Sequence, residues 1–177
     1  MNPQDAEVYN NRGVAYRNKG DYAQAIRDYG KAIDLNPQYA DAYYNRGLAC
    51  GKKGDYDQAI KNYNKAIELN PQDASANNQL CYAYLGKKDF LAALEAVNKA
   101  IAIAPSDPNY YDSRADVWIA WGKYKKEHPE EYPDIDWKDN IRNALSDVEK
   151  AFSLNPYEEL KKMLEDKRVE CKQLLEV

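Results

Sequence analysis

A chain of 177 residues is long enough for one domain or a short array of repeats. Charged residues make up 31% and the net charge is −4, with no block of five or six like charges, which speaks against a nucleic-acid-binding surface. No run of eighteen apolar residues reads as a membrane-spanning helix, and the opening MNPQDAEVYN has neither the basic region nor the apolar stretch of a signal peptide.

Sixteen Tyr stand against two Phe, so nearly every aromatic ring carries a polar tip suited to half-buried positions. The three cysteines, Cys50, Cys81 and Cys171, lie far apart and match neither a disulfide framework nor a zinc pattern. They read as buried free thiols of a reducing, cytoplasmic setting.

Asn2-Pro3-Gln4-Asp5-Ala6 is repeated letter for letter as Asn70–Ala74, the junction of two later units. The chain therefore reads as opening on the last residues of a preceding unit, either cut from a longer array or with Met1 simply preceding an uncapped first repeat. Ala6–Tyr39 and Ala40–Asp73 then agree, without a gap, at 21 of 34 positions. A self-match that dense marks an array of one supersecondary unit.

Each unit reads as two helices. In Ala6–Lys19, Tyr9, Gly13 and Tyr16 share a helical face. Gly20 stops the helix, since glycine accepts the left-handed conformation after a C-terminus. Asp21 opens the next helix as N-cap with Gln24 three residues on, and Gly54, Asp55 and Gln58 repeat the device. Tyr22, Ala25, Ile26, Tyr29, Ala32 and Ile33 mark the second helix, which Asn36-Pro37 ends.

Columns 34 residues apart hold the register. Gly13, Gly47, Cys81 and Ala115 stay small; Ala25, Ala59 and Ala93, then Ala32, Ala66 and Ala100, are identical; Pro37, Pro71 and Pro105 recur. The third unit, Ala74–Asp107, departs where Asn77 replaces a Tyr and Lys88 replaces the turn Gly. The fourth is interrupted. Its first helix runs through Trp118 and Trp121 to Gly122, and its second resumes at Ile141, which leaves a 17-residue insertion at about Lys123–Asp139. Pro129 and Pro133 forbid a continuous helix through it, while Tyr124, Tyr132, Ile135 and Trp137 give it apolar anchors. Tyr157–Val177 reads as a last helix with Leu160, Met163, Leu164, Cys171, Leu174 and Leu175 on one face, a capping element.

The small-residue columns, the paired alanines and the closing proline over Ala6–Pro156 resemble the tetratricopeptide repeat. That resemblance implies an all-α, right-handed superhelical solenoid of four helical hairpins plus a C-terminal capping helix, forming a single domain over the whole chain. It implies further that the first helix of each hairpin lines a concave groove.

The groove columns are then Asn10, Tyr44, Asn78 and Asp112; Asn11, Asn45, Gln79 and Ser113; Val14, Leu48, Tyr82 and Asp116; Arg17, Gly51, Leu85 and Ile119. Recurring amides can hold a peptide backbone because they both donate and accept, and Val14, Leu48 and Tyr82 form an apolar line beside them. Some members of the family clamp the C-terminal carboxylate of chaperone tails with paired cations. Here the matching positions are Asn10 and Val14, then Asn45, then Ser75 and Gln79, and only Asn45 agrees. Without those cations the charge-assisted contacts are missing.

His128 with Glu127, Glu130, Glu131, Asp134 and Asp136 shows no metal-ligand spacing, so neither metal nor cofactor is expected. No phosphate loop, nucleophile elbow or Cys-His pair suggests an enzyme. The reading is a non-catalytic scaffold for a protein or peptide partner, with no nucleic-acid or membrane partner. The alternative is self-association through an uncapped first repeat. The insertion is expected to fold toward the groove and narrow its far end.

Overall fold

The computed structural model describes residues 3–131, 133 and 136–176. Every regular element among them is helical. In order they are α1 (Pro3–Asn18), α2 (Tyr22–Leu35), α3 (Ala40–Lys52), α4 (Tyr56–Leu69), α5 (Ala74–Gly86), α6 (Phe90–Ile103), α7 (Pro108–Glu127), α8 (Trp137–Ser153) and α9 (Glu158–Glu176), with a 3-10 turn at Pro129–Glu131 before α8. The fold is all-α, an array of helical hairpins.

The boundaries follow from local chemistry. Gly20 and Gly54 take φ of +81° and +79° just past α1 and α3. The Asp21 and Asp55 carboxylates accept from the backbone N–H of Gln24 and Gln58 and start α2 and α4. Asp73 and Asp107 cap α5 and α7 in the same way. Lys88, standing where the turn glycine would be, is forced to a φ of 60°.

The helices divide into two compact units, Met1–Asp89 and Phe90–Val177. In the first, α1 pairs with α2 and α3 with α4, while α3 lies on α2 and α5 on α4. Its packing rests on a fit between columns. Gly13 and Gly47 have no Cβ because the rings of Tyr29 and Tyr63 occupy that space, with ring carbons 2.6 Å from where the Cβ would stand. Ala25, Ala32, Ala59 and Ala66 are fully buried beside them.

In the second unit α7 packs between α6 and α8, and α9 lies on α8. One apolar cluster joins Tyr111, Ala115 and Ile119 of α7, Ile141, Ala144, Val148 and Ala151 of α8, and Leu160, Leu164 and Cys171 of α9. The expected face of the last helix is right in these three residues, with Leu174 and Leu175 packed at its edge. Met163 departs from it and is about half exposed.

Gly122 does not end α7. The helix runs on to Glu127, and α8 begins at Trp137, so much of the expected insertion is helical. Gly122 is instead a point of close approach: a Cβ there would lie 2.7 Å from Ile141 Cδ1 and 3.2 Å from the Trp137 carbonyl oxygen. The prolines do forbid a continuous helix, since α7 stops before Pro129. Tyr124 packs on Phe90 and stacks on His128 at 4.2 Å, and its hydroxyl donates to Glu131. Tyr132, Asp134 and Ile135 lie outside the described residues. All three cysteines are buried, and burial pushes the Cys171 thiol up to about 11, which keeps it protonated and unreactive.

Candidate functional site: the faces of α1, α3 and α5

Within the first unit, α3 neighbours both α1 and α5, so the first helices of three successive repeats stand side by side. That neighbourhood brings most of the expected groove residues together. Asn11 is exposed; Val14, Arg17, Tyr44, Asn45, Leu48, Gln79 and Leu85 are half-buried; Tyr82 is 36% exposed. Asn10 and Asn78 are buried, at 6% and 9% exposure, and are not open groove positions.

The amides are partly committed to one another. Asn45 Nδ2 donates to Asn10 Oδ1 at 3.1 Å, and Arg17 donates to Asn45 Oδ1 at 2.9 Å. This chain ties α1 to α3 and fixes the Asn45 amide, so fewer amide groups remain for a ligand than a count of Asn and Gln suggests.

Between α3 and α5 the surface opens into a pocket of about 400 Å³ lined by Leu48, Gly51, Lys52, Tyr56, Tyr63, Gln79, Tyr82 and Ala83. Leu48, Gly51, Gln79 and Tyr82 were legible as groove residues. Lys52, Tyr56, Tyr63 and Ala83 were not singled out for it. The Tyr63 ring reaches the pocket because Gly47 lets it lie against the α3 backbone, and it sits 6.0 Å from the Tyr44 ring. Burial raises the Tyr63 hydroxyl well above the ordinary phenol range, with the Arg17 charge pulling the other way.

In the second unit Asp112 and Asp116 are not open groove positions. Lys167 of α9 reaches back to both, at 2.5 Å and 2.8 Å. Burial raises Asp112 above the ordinary carboxylate range, while Lys167 pulls it down. The partner of this acidic pair is thus supplied by the chain itself, 55 residues away. No residue pattern announces such a contact.

Four sequence profiles, each described as a tetratricopeptide or TPR repeat, match residues 1–27, 15–54, 40–73 and 74–107. Together they span residues 1–107, more than half of the chain. The chain belongs to the tetratricopeptide-repeat family. No curated protein matches it significantly.

Solved tetratricopeptide structures superpose well. A crystal structure of MamA protein aligns with a TM-score of 0.70 at 22% identity, over 96% of this chain and 87% of that one. The second TPR domain of human RPAP3, in complex with the HSP70 peptide SGPTIEEVD, gives 0.63 at 21% identity, over 66% and 98%. The first TPR of Spaghetti (RPAP3), bound to the HSP90 peptide SRMEEVD, gives 0.58 at 24%, over 59% and 83%. At these identities the likeness is one of fold. Among the described residues no helix is long and apolar enough to cross a membrane, and no three His, Cys, Asp or Glu side chains are grouped to hold a metal ion.

Proposed function

We propose that the chain is a non-catalytic interaction module that holds a peptide or partner helix along the face of α1, α3 and α5. The observation that carries this reading is the pocket between α3 and α5, whose lining combines Leu48 and three tyrosines with the Gln79 amide. Apolar walls with a few placed polar groups are the usual make-up of a recognition site. The RPAP3 domains named above hold peptides of chaperones. This chain lacks the paired cations such a tail needs, so its ligand is of another kind. The expected affinity is modest, on the order of micromolar, about −8 kcal/mol.

Capture of partners from a lysate by the wild type and by Leu48→Glu/Tyr82→Glu tests the reading. Loss of the same specific partners from the double variant is the expected result. Unchanged partners in a variant that keeps its helical circular dichroism overturn it.

Self-association is a second reading, favoured by a hollow of about 360 Å³ on the first hairpin, lined by Asp5, Val8, Tyr9, Arg12 and Leu35. Its exposed Val8 is the kind of apolar group an interface covers. A size that grows with protein concentration, and shrinks in Val8→Glu, supports it; a constant size overturns it.

A further inference from the structure

Gly51 sits near the end of α3 for no steric reason. A Cβ there would meet only Ala59 Cβ and Tyr63 Oη, both at 3.9 Å, which is ordinary contact. This separates it from Gly13, Gly47 and Gly122, where the same atom would collide. Helical glycine costs stability relative to alanine, so a glycine with room for a side chain calls for another explanation.

The repeat register supplies one. The column of Gly51 holds Arg17 in the first repeat, Leu85 in the third and Ile119 in the fourth. Arg17 crosses from α1 to the Asn45 amide on α3. Gly51 carries nothing across from α3 to Gln79 on α5, and the space it leaves belongs to the pocket.

The walls say what fits. Leu48, Ala83 and the rings of Tyr56, Tyr63 and Tyr82 offer apolar and aromatic surface. Lys52 stands among the lining residues and no carboxylate does. An apolar hollow with a lysine on its rim complements an apolar side chain flanked by carboxylates.

Resting on the peptide-binding reading above, we infer that the Gly51 pocket is the anchor site of this module. It takes one bulky apolar side chain, aromatic or leucine-like, from an acidic segment of a partner protein. Lys52 faces the carboxylates beside that anchor. The pocket thus sets specificity, and the rest of the face supplies sequence-tolerant contacts.

The test is a nuclear magnetic resonance titration with an acetylated, amidated Asp-Glu-Phe-Asp-Glu peptide. Controls are Asp-Glu-Gly-Asp-Glu and Lys-Lys-Phe-Lys-Lys. Saturable shifts of the Leu48, Gly51, Gln79 and Ala83 amides are expected with the first peptide only. Gly51→Leu fills the hollow from within and should weaken binding at least about tenfold, while Gly51→Ala keeps most of it. Lys52→Glu should weaken it as well. Equal shifts from the basic peptide overturn the acidic partner, and unchanged binding by Gly51→Leu overturns the pocket. Pocket shifts that appear on concentrating the protein alone overturn the inference in favour of a second copy. Shifts confined to Asn11, Val14 and Arg17, or none at all, overturn the anchor site but not the wider reading. That reading is tested by Leu48→Glu/Tyr82→Glu alone: partners lost by that variant but still captured by Gly51→Leu leave the wider reading standing and overturn the anchor site.

Discussion

Gly47 has no room for one more methyl group. The Tyr63 ring lies 2.6 Å from where its Cβ would be, and that ring is itself 2% exposed and held by its surroundings. Gly47→Ala must push the ring out of its slot. The expected cost is about 1–3 kcal/mol, the range for overpacking a filled core, read as a shift in the urea midpoint at unchanged slope. The pocket should respond as well, since Tyr63 is one of its walls. Lys88 is the opposite case. A side chain is held at a φ of 60° where the first two repeats use glycine. Lys88→Gly should therefore stabilise the protein by about 1 kcal/mol, measured by the same denaturation curve. Both positions were legible in the sequence, because small and left-handed positions recur in register. The identity of the ring that makes Gly47 obligatory was not, since a column shows that a position is small without showing what presses on it.

The hairpins are held by a device that column reading missed. Arg12 stacks on Tyr9, at 5.2 Å from the ring centre, and donates twice to Asp28 across the hairpin. Arg46 repeats the arrangement on Tyr43 and Asn62, and Arg114 on Tyr111 and Asp147. In the third repeat the three columns change together, to Asn77, Leu80 and Ala96. A clasp whose parts are lost as a set behaves as one element. Its pH dependence follows from Asp28. The hydrogen bond from Arg12 holds that carboxyl below its ordinary value, with burial working the other way. A depressed value means that the clasp stabilises the fold above the ordinary carboxylate range and stops doing so as pH falls through the folded value. Asp28→Asn should therefore be less stable than the wild type at pH 7, with the gap closing on acidification toward about pH 3. A gap that stays constant across that range sinks the account. Local signals served better at helix ends, where Asp21 and Asp55 cap as expected. Gly122 misled because one residue type serves two purposes. Without its neighbours a glycine does not reveal whether it ends a helix or lets another come close.

At the scale of the molecule, the repeat pattern revealed the architecture but not how α9 is attached. The apolar spacing of Leu160, Leu164 and Cys171 was visible, and all three enter the core. Lys167 was not visible, because its partners are far away in sequence and its neighbours on α9 are charged too. The attraction of Asp116 and Asp112 raises the Lys167 ammonium despite its burial, so it stays charged beside them. Lys167→Met removes the cation that pairs with both Asp112 and Asp116. Asp112 then rises further above its unfolded value, and stability is lost as pH rises through the carboxylate range. The variant should thus be closest to the wild type in acid and fall behind it toward neutral pH. The gap opens in the same direction as that of Asp28→Asn, although here it comes from a raised carboxyl rather than a lost depressed one.

Removing α9 is the larger experiment. It uncovers Ile141, Ala144, Val148 and Ala151, all with 0% exposure in the intact chain. Four core side chains opened to water are enough to remove several kcal/mol, a large share of the stability of a small helical unit. The chain carries its own reporter for where the damage falls. Its three tryptophans, Trp118, Trp121 and Trp137, all lie in the unit Phe90–Val177, and the unit Met1–Asp89 has only tyrosine. In a protein ending at Tyr157, tryptophan emission should shift red at a temperature well below that of the intact chain, with new binding of a hydrophobic dye. The helical signal of the first unit should melt later. If both signals fall together, α9 supports the chain as a whole. If neither moves, the cluster around Leu160 and Leu164 is not what holds the second unit together.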